Sequence, residues 1–349
     1  MKALTYEGPQ AIRCTDMPDP ERPGERGVVV RVTTAGICGS DLHIYDGHGF
    51  SEDLGFCVGQ EAVGEIVDAG PGVERFAVGD RVLVTASVGC SRCRECARGR
   101  VAYCERAGEV VGCYGLSAAL QGSQAEFVAV PEADGNLVRL PDEISDEAAI
   151  VLTDNAPTGW YGARRARIAP GDTVAVIGLG PVGLMAAQAA FAMGAARVLG
   201  ADLVAERRAR AEAMGVEPVH PDDPKTHIRE LTGGPGADAV VEAVGADATI
   251  KLALSAARHG GRVSVVGVNQ NTKYELNMPL AQVKELEFHI GLCSVQYELP
   301  ALLQLTAAGR LEPEAVVSHR LGLSEGEAAY ALFAGRTDGV SKVVLDPAR

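Results

Sequence analysis

The segment GICGSDLHIYDGHGF (residues 36–50) places a thiol, a hydroxyl, a carboxylate and two imidazoles within a dozen residues, as Cys38, Ser40, Asp41, His43 and His48. Glycines punctuate it, and it is too polar to form a core. A thiolate suits a metal ion, and a hydroxyl with an imidazole beside it suits proton transfer near neutral pH. One thiol alone is more often a small buried hydrophobe, so this reading needs partners. The downstream candidates are Gln60 and Glu61 in VGQEAVGE and Asp154 in LTDNAPTGW. Three protein ligands on Zn²⁺ leave a fourth position for a substrate oxygen.

A second constellation is CSRCRECARGRVAYC, with Cys90, Cys93, Cys96 and Cys104 spaced as C-x2-C-x2-C-x7-C. Four thiolates at this spacing close a tetrahedron around Zn²⁺ and leave no open position, which marks a structural site. An iron–sulfur run of the ferredoxin kind has a closer fourth Cys followed by Pro. Here Glu105 follows Cys104.

A third is Gly178-Leu-Gly180-Pro181-Val182-Gly183, a G-x-G-x-x-G after a strand-like run and before a helical one. Such glycines let backbone approach a pyrophosphate at a helix N-terminus. Asp202 ends the next strand-like run, where a carboxylate holds adenosine ribose hydroxyls and repels a 2′-phosphate. NAD is therefore favoured over NADP. Arg207 and Arg208 follow closely, and either admit some NADP or are solvated charges on a helix face.

The elements that must position these groups fall into two rhythms. Short strands separated by Gly and Pro are expected at 28–34, 62–70, 80–86 and 125–131, as in a small β-barrel or sandwich, and Ser145-Asp-Glu reads as a helix start. From residue 173 six apolar strands (173–177, 197–201, 217–219, 238–244, 262–268, 287–292) alternate with helical patterns such as 205–214 and 248–260. That alternation predicts a doubly wound parallel sheet. Two more helical patterns and a strand, SKVVLDP, close the chain. Residues 173–196 carry no charge over 24 positions, enough for a membrane span, but strand, Gly-Pro break and Ala-rich helix explain them better.

The composition agrees with this. A length of 349 suggests two domains, and a net charge of −14 argues against nucleic acid or an anionic membrane as partner. The opening MKALTYEGPQ holds no apolar signal core, so the cytoplasm is the expected compartment. Nine cysteines, five of them placed for metal, fit a reducing environment.

These motifs together, with GVERFAVGDRV and the final GVSKVVL, make the chain resemble the zinc-containing medium-chain alcohol dehydrogenases over nearly its whole length. The resemblance implies a GroES-like β-barrel catalytic domain from 1–153 and 296–349, and a Rossmann NAD-binding domain of six parallel strands at 154–295. It makes Cys38 and Asp154 ligands of a catalytic zinc, Ser40 and His43 a proton relay, and Asp41 a support for the ligands. Thr158 would contact nicotinamide and Lys342 the pyrophosphate, with Val244 and Val268 among the cofactor-binding residues. Phe50 and Ala86 would lie near the substrate. The relatives are homodimers or homotetramers.

One departure matters. The family usually has Gly-His-Glu where this chain has Gly59-Gln60-Glu61, and that His is normally a zinc ligand. Two arrangements keep a metal: Gln60 turns its oxygen to zinc and its NH₂ to Asp41, or Glu61 joins Cys38 and Asp154 directly. The expected activity is interconversion of an alcohol, secondary or polyol, and its carbonyl with NAD. The alternatives are a reductase of conjugated C=C or C=N bonds without catalytic zinc, and an NAD-binding protein without turnover.

Overall fold

The computed structural model describes residues 1–49, 51–107 and 112–349, so Phe50 lies outside the described residues. The chain divides into two compact units, Met1–Pro157 with Ser294–Arg349, and Thr158–Cys293. The first division falls four residues later than the sequence suggests, so Asp154 belongs to the same unit as Cys38. The reason is local, since the next residue, Asn155, bonds Glu61 in that unit's interior.

The first unit opens with β1 (Lys2–Gly8), β2 (Ala11–Asp16), β3 (Val28–Ile37), β4 (Phe56–Cys57), β5 (Glu61–Ala69), β6 (Arg81–Val84), β7 (Phe127–Val130) and β8 (Leu137–Arg139). Among them lie helices α1 (Gly39–Tyr45), α2 (Arg94–Ala97), α3 (Ala133–Asn136) and α4 (Asp146–Leu152), while α5 (Asn155–Arg165) crosses into the second unit. The hydroxyl of Ser145 accepts the Ala148 N–H and caps α4, with Asp146 and Glu147 favourably placed in its first turn.

The second unit contains β9 (Thr173–Ile177), β10 (Arg197–Ala201), β11 (Glu217–Pro218), β12 (Ala237–Glu242), β13 (Ala257–Val265) and β14 (Glu287–Ile290), with α6 (Pro181–Ala192), α7 (Ala205–Ala213), α8 (Pro224–Leu231), α9 (Asp247–Ala256) and α10 (Met278–Val283). Its strands form one parallel sheet in the order β11-β10-β9-β12-β13-β14. The order reverses beside β9, the switch point at which open α/β sheets bind ligands. The uncharged 173–196 segment is thus strand, turn and helix. Four of the five residues of β9 are buried, as a parallel strand covered by helices on both faces requires. The helical pattern at 248–260 ends early, because β13 starts at Ala257 to pair with β12.

The chain returns to the first unit with α11 (Val295–Ala307), β15 (Val317–Gly322), α12 (Gly326–Gly335) and β16 (Lys342–Asp346). Its larger sheet runs β15-β16-β3-β5-β6-β8 with β7 also on β3, and a smaller one runs β2-β1-β4. Leu4 and Tyr6 from the smaller sheet, Val30, Ile66 and Val82 from the larger, and Tyr330 from α12 share one core. The β1–β2 hairpin, β4, β8 and β15 had no clear sequence signal, being very short or interrupted by charged side chains. Among the described residues no helix is long and apolar enough to cross a membrane.

Candidate functional site

Strand pairing builds the metal site. Gly36 on β3 is opposite Glu61 on β5, and Val343 on β16 is opposite Ile37. A Cβ on Gly36 would stand 2.2 Å from Glu61 Oε2, so only glycine leaves room for that carboxylate. Cys38 follows β3 as the N-cap of α1, with extended backbone. Asp41, in the first turn, accepts the Cys38 N–H at 2.8 Å.

Cys38, Glu61 and Asp154 each present a ligand atom within 4.8 Å of the others. Cys38 Sγ lies 3.2 Å from Asp154 Oδ2, and Asn155 donates to Glu61 Oε1 at 2.8 Å. Lys342 Nζ bonds Glu61 Oε2 and donates to the Ile37 carbonyl at 3.0 Å, with both side chains 0% exposed. The buried Lys342 ammonium thus bears on Cys38, Asp41 and Glu61. Burial, together with Asp154 and Glu61, pushes the Cys38 thiol well above its ordinary value. Burial likewise pushes Asp41 up to about 7, against the Cys38 N–H, and raises Glu61, against the pull of Lys342. A divalent cation among these groups inverts that bias, and one thiolate with two carboxylates is a zinc-compatible donor set.

Gln60 does not take the orientation expected of an oxygen ligand. Its NH₂ donates to Asp154 Oδ2 at 2.5 Å, and its oxygen faces the Cys113 thiol at 3.0 Å. Nor does its NH₂ reach Asp41, whose Oδ2 takes the Cys38 N–H and, at 3.1 Å, the Gln124 amide. Gln124 also donates to the Gly36 carbonyl and accepts from the Tyr330 hydroxyl, both at 2.9 Å. A buried chain thus runs from Tyr330 through Gln124 and Asp41 to Cys38.

Ser40 and His43 lie three residues apart on α1 and so share a face. Ser40 Oγ is 3.9 Å from Cys38 Sγ, and burial lowers the pKa of His43. His48 is exposed, and Ala86 is buried. Lys342, for which the resemblance implies a pyrophosphate contact, has its ammonium on the Glu61 carboxylate and the Ile37 carbonyl. Beyond the adjacency of Asn155 to Asp154, nothing in the sequence points to Gln124, Asn155 and Tyr330 at this site, and Cys113 reads there as an ordinary buried or semi-buried thiol.

The four lobe cysteines also lie within 4.8 Å of one another. Cys93 caps α2 by accepting the Cys96 N–H at 3.4 Å, and Cys104 accepts the Cys90 N–H at 3.3 Å. The Cys96 N–H pulls the Cys93 thiol down from its ordinary value, which favours the thiolate that a metal needs.

In the second unit the glycine turn links β9 to α6. A Cβ on Gly183 would meet the Gly178 carbonyl at 1.7 Å, so this glycine allows the helix to pack against the turn. Gly180 caps α6, with Pro181 and Val182 in its first turn. Asp202 accepts the Leu179 and Val204 N–H groups, each at 2.8 Å, which fixes it beside the turn. Arg207 Nη1 lies 3.7 Å from Asp202 Oδ2. Val244 and Val268 follow β12 and β13 at the carboxyl edge of the sheet, and Thr158 is half-buried on α5.

Comparisons with known proteins agree in family. Residues 24–142 match the alcohol dehydrogenase GroES-like domain and residues 181–308 the zinc-binding dehydrogenase domain. A probable zinc-binding alcohol dehydrogenase of Mycobacterium tuberculosis is 40% identical, over 99% of this chain and 89% of the relative. The structure of an alcohol dehydrogenase from Thermus sp. ATN1 is 39% identical and superimposes with a TM-score of 0.93 over 99% of both chains. A zinc-binding dehydrogenase of Sinorhizobium meliloti, solved bound to NADP, is 27% identical with a TM-score of 0.86 over 99% of both. With its two matched domains, its cysteine lobe and its glycine turn, the chain belongs to the zinc-containing medium-chain alcohol dehydrogenase family.

Proposed function

We propose that this NAD(P)-dependent alcohol/carbonyl oxidoreductase holds a catalytic zinc on Cys38, Glu61 and Asp154 and oxidises a secondary alcohol or polyol reversibly, with NAD as the preferred cofactor. The observation that carries the proposal is the convergence of those three ligand atoms despite the missing histidine. Bound there, zinc supplies Lewis-acid polarisation of the substrate oxygen, and nicotinamide supplies the hydride acceptor or donor.

The chain's own residues do the rest. Ser40, one turn from His43 and near Cys38, takes the substrate hydroxyl proton. His43 passes it toward solvent, and its lowered pKa keeps the imidazole neutral and ready to accept. Asp41 holds the Cys38 backbone, and Asn155 and Lys342 orient the Glu61 carboxylate. Asp202, anchored by two N–H groups, receives the adenosine ribose and disfavours a 2′-phosphate, which supports NAD. Cys90, Cys93, Cys96 and Cys104 hold a second, structural zinc. Nine cysteines, five of them placed for metal, support a reducing, cytoplasmic setting, and the family likeness supports a homodimer or homotetramer with no nucleic-acid or membrane partner.

The test is NADH formation from small secondary alcohols and polyols by the unaltered protein and by Cys38→Ser. Turnover lost in the variant, with cofactor binding retained, is the expected result. Equal turnover in both proteins contradicts a catalytic role for the Cys38 site.

A further inference from the structure

Gln60 is 5% exposed and has a distinct partner at each end of its amide. Its nitrogen donates to Asp154 Oδ2, and its oxygen accepts the Cys113 S–H. This orientation alone satisfies both ends. A flipped amide would set oxygen against a carboxylate oxygen and leave its NH₂ facing a thiol, a weak acceptor. The amide is therefore locked by its neighbours, with its single acceptor directed away from Asp154.

Asp154 is the member of the ligand set on which this hold acts. It is half-buried, whereas Cys38 and Glu61 are buried, and Glu61 already has Asn155 and Lys342 on its two oxygens. An N–H on one oxygen of a metal-binding carboxylate fixes the plane in which its lone pairs are offered. The Gln60 amide provides that N–H, and Cys113 decides that the nitrogen rather than the oxygen faces Asp154.

We propose that Gln60 is a positioning residue and not a zinc ligand: the Cys113 thiol orients its amide, and the amide holds Asp154 toward Cys38 and Glu61. This rests on the zinc site proposed above, and Cys113 acquires a function that its place in the sequence does not suggest.

Affinity for the second zinc, measured by competition with a chromophoric chelator while the lobe stays loaded, separates the possibilities. The proteins are the unaltered chain, Cys113→Ser and Cys113→Ala, each with its urea midpoint recorded. Serine still donates to the amide oxygen, so Cys113→Ser should bind the second zinc as the unaltered chain does. Alanine removes the donor and should weaken binding about tenfold, at the lower end of the range for groups that orient metal ligands, with stoichiometry unchanged. Binding by Cys113→Ala as tight as or tighter than the unaltered chain's would overturn the proposal, since the freed oxygen would then serve as a ligand or the amide would not matter. So would a serine variant as weak as the alanine one, which would make the thiol a ligand itself. If the unaltered chain takes up only the lobe zinc, the catalytic site fails, and the proposal with it. That result is distinguishable because it needs no variant.

Discussion

Lys342 places its ammonium on the carboxylate of Glu61, and neither side chain reaches solvent. The contact joins the last strand of the chain, β16, to β5 across β3, so it ties the returning C-terminal segment to the metal site. Removing one partner of such a pair leaves an uncompensated buried charge, whereas replacing both does not. Lys342→Met should therefore cost about 3–5 kcal/mol in the urea unfolding of the first unit. Adding Glu61→Gln to Lys342→Met should restore most of the loss. A single variant as stable as the original protein would show that the pair is not desolvated.

The chain from Tyr330 through Gln124 to Asp41 makes a different prediction. Tyr330→Phe removes only the donor to Gln124 Oε1 and should cost about 1 kcal/mol. Gln124→Leu strips Asp41 and the Gly36 carbonyl of a buried donor and the Tyr330 hydroxyl of its acceptor, and should cost about 3 kcal/mol as the sum of three such losses. Thermal melts of the two variants test the order. Equal losses would mean that Asp41 does not depend on Gln124.

The lobe is separable from the catalytic site. Cys93→Ser or Cys104→Ser should lower zinc content by about one per chain and open the 90–106 segment to proteolysis, because a four-thiolate site supplies much of the order of so small a loop. NAD binding should survive, since the glycine turn belongs to the other unit. Retention of full zinc content by both variants would contradict a four-cysteine site.

Cofactor choice rests on Asp202. Asp202→Ala removes the charge that opposes a 2′-phosphate while leaving Arg207 in place. The ratio of kcat/KM for NADP to that for NAD should rise about tenfold, equivalent to about 1.4 kcal/mol. An unchanged ratio would assign discrimination to another residue.

Acid sensitivity of the second unit should come in part from Asp238. Burial pushes its carboxyl up, but the Arg258 guanidinium and the Thr173 N–H outweigh burial and hold it below the usual value. The folded state thus binds a proton less readily than the unfolded chain. The resulting stability is fully present above a pH of about 4 and is lost as pH falls through the depressed value. Asp238→Asn should lower stability by about 1 kcal/mol at neutral pH, a modest figure because the side chain is partly exposed. The gap should close below a pH of about 4. A gap constant from pH 3 to 7 would rule out the charge as its origin.

Features contained in one stretch of chain are legible in the sequence. The glycine turn, Asp202 and the cysteine lobe have fixed spacings, and the inner parallel strands β9 and β10 read as apolar runs because they are buried. The metal site is only half legible. Cys38, Glu61 and Asp154 are separated by long stretches, and the β3–β5 register brings the first two together. The direction of the Gln60 amide depends on Cys113, fifty-three residues away, and the place of Lys342 on strand pairing at the far end of the chain. Neither relation leaves a local pattern.

The most direct measurement is zinc per chain, by elemental analysis of protein purified without added metal, with Cys38→Ser alongside. About two zincs in the original protein and about one in the variant are expected, the lobe keeping its ion in both. About one zinc in each would show that Cys38, Glu61 and Asp154 hold no metal, and would contradict zinc-dependent alcohol oxidation at this site.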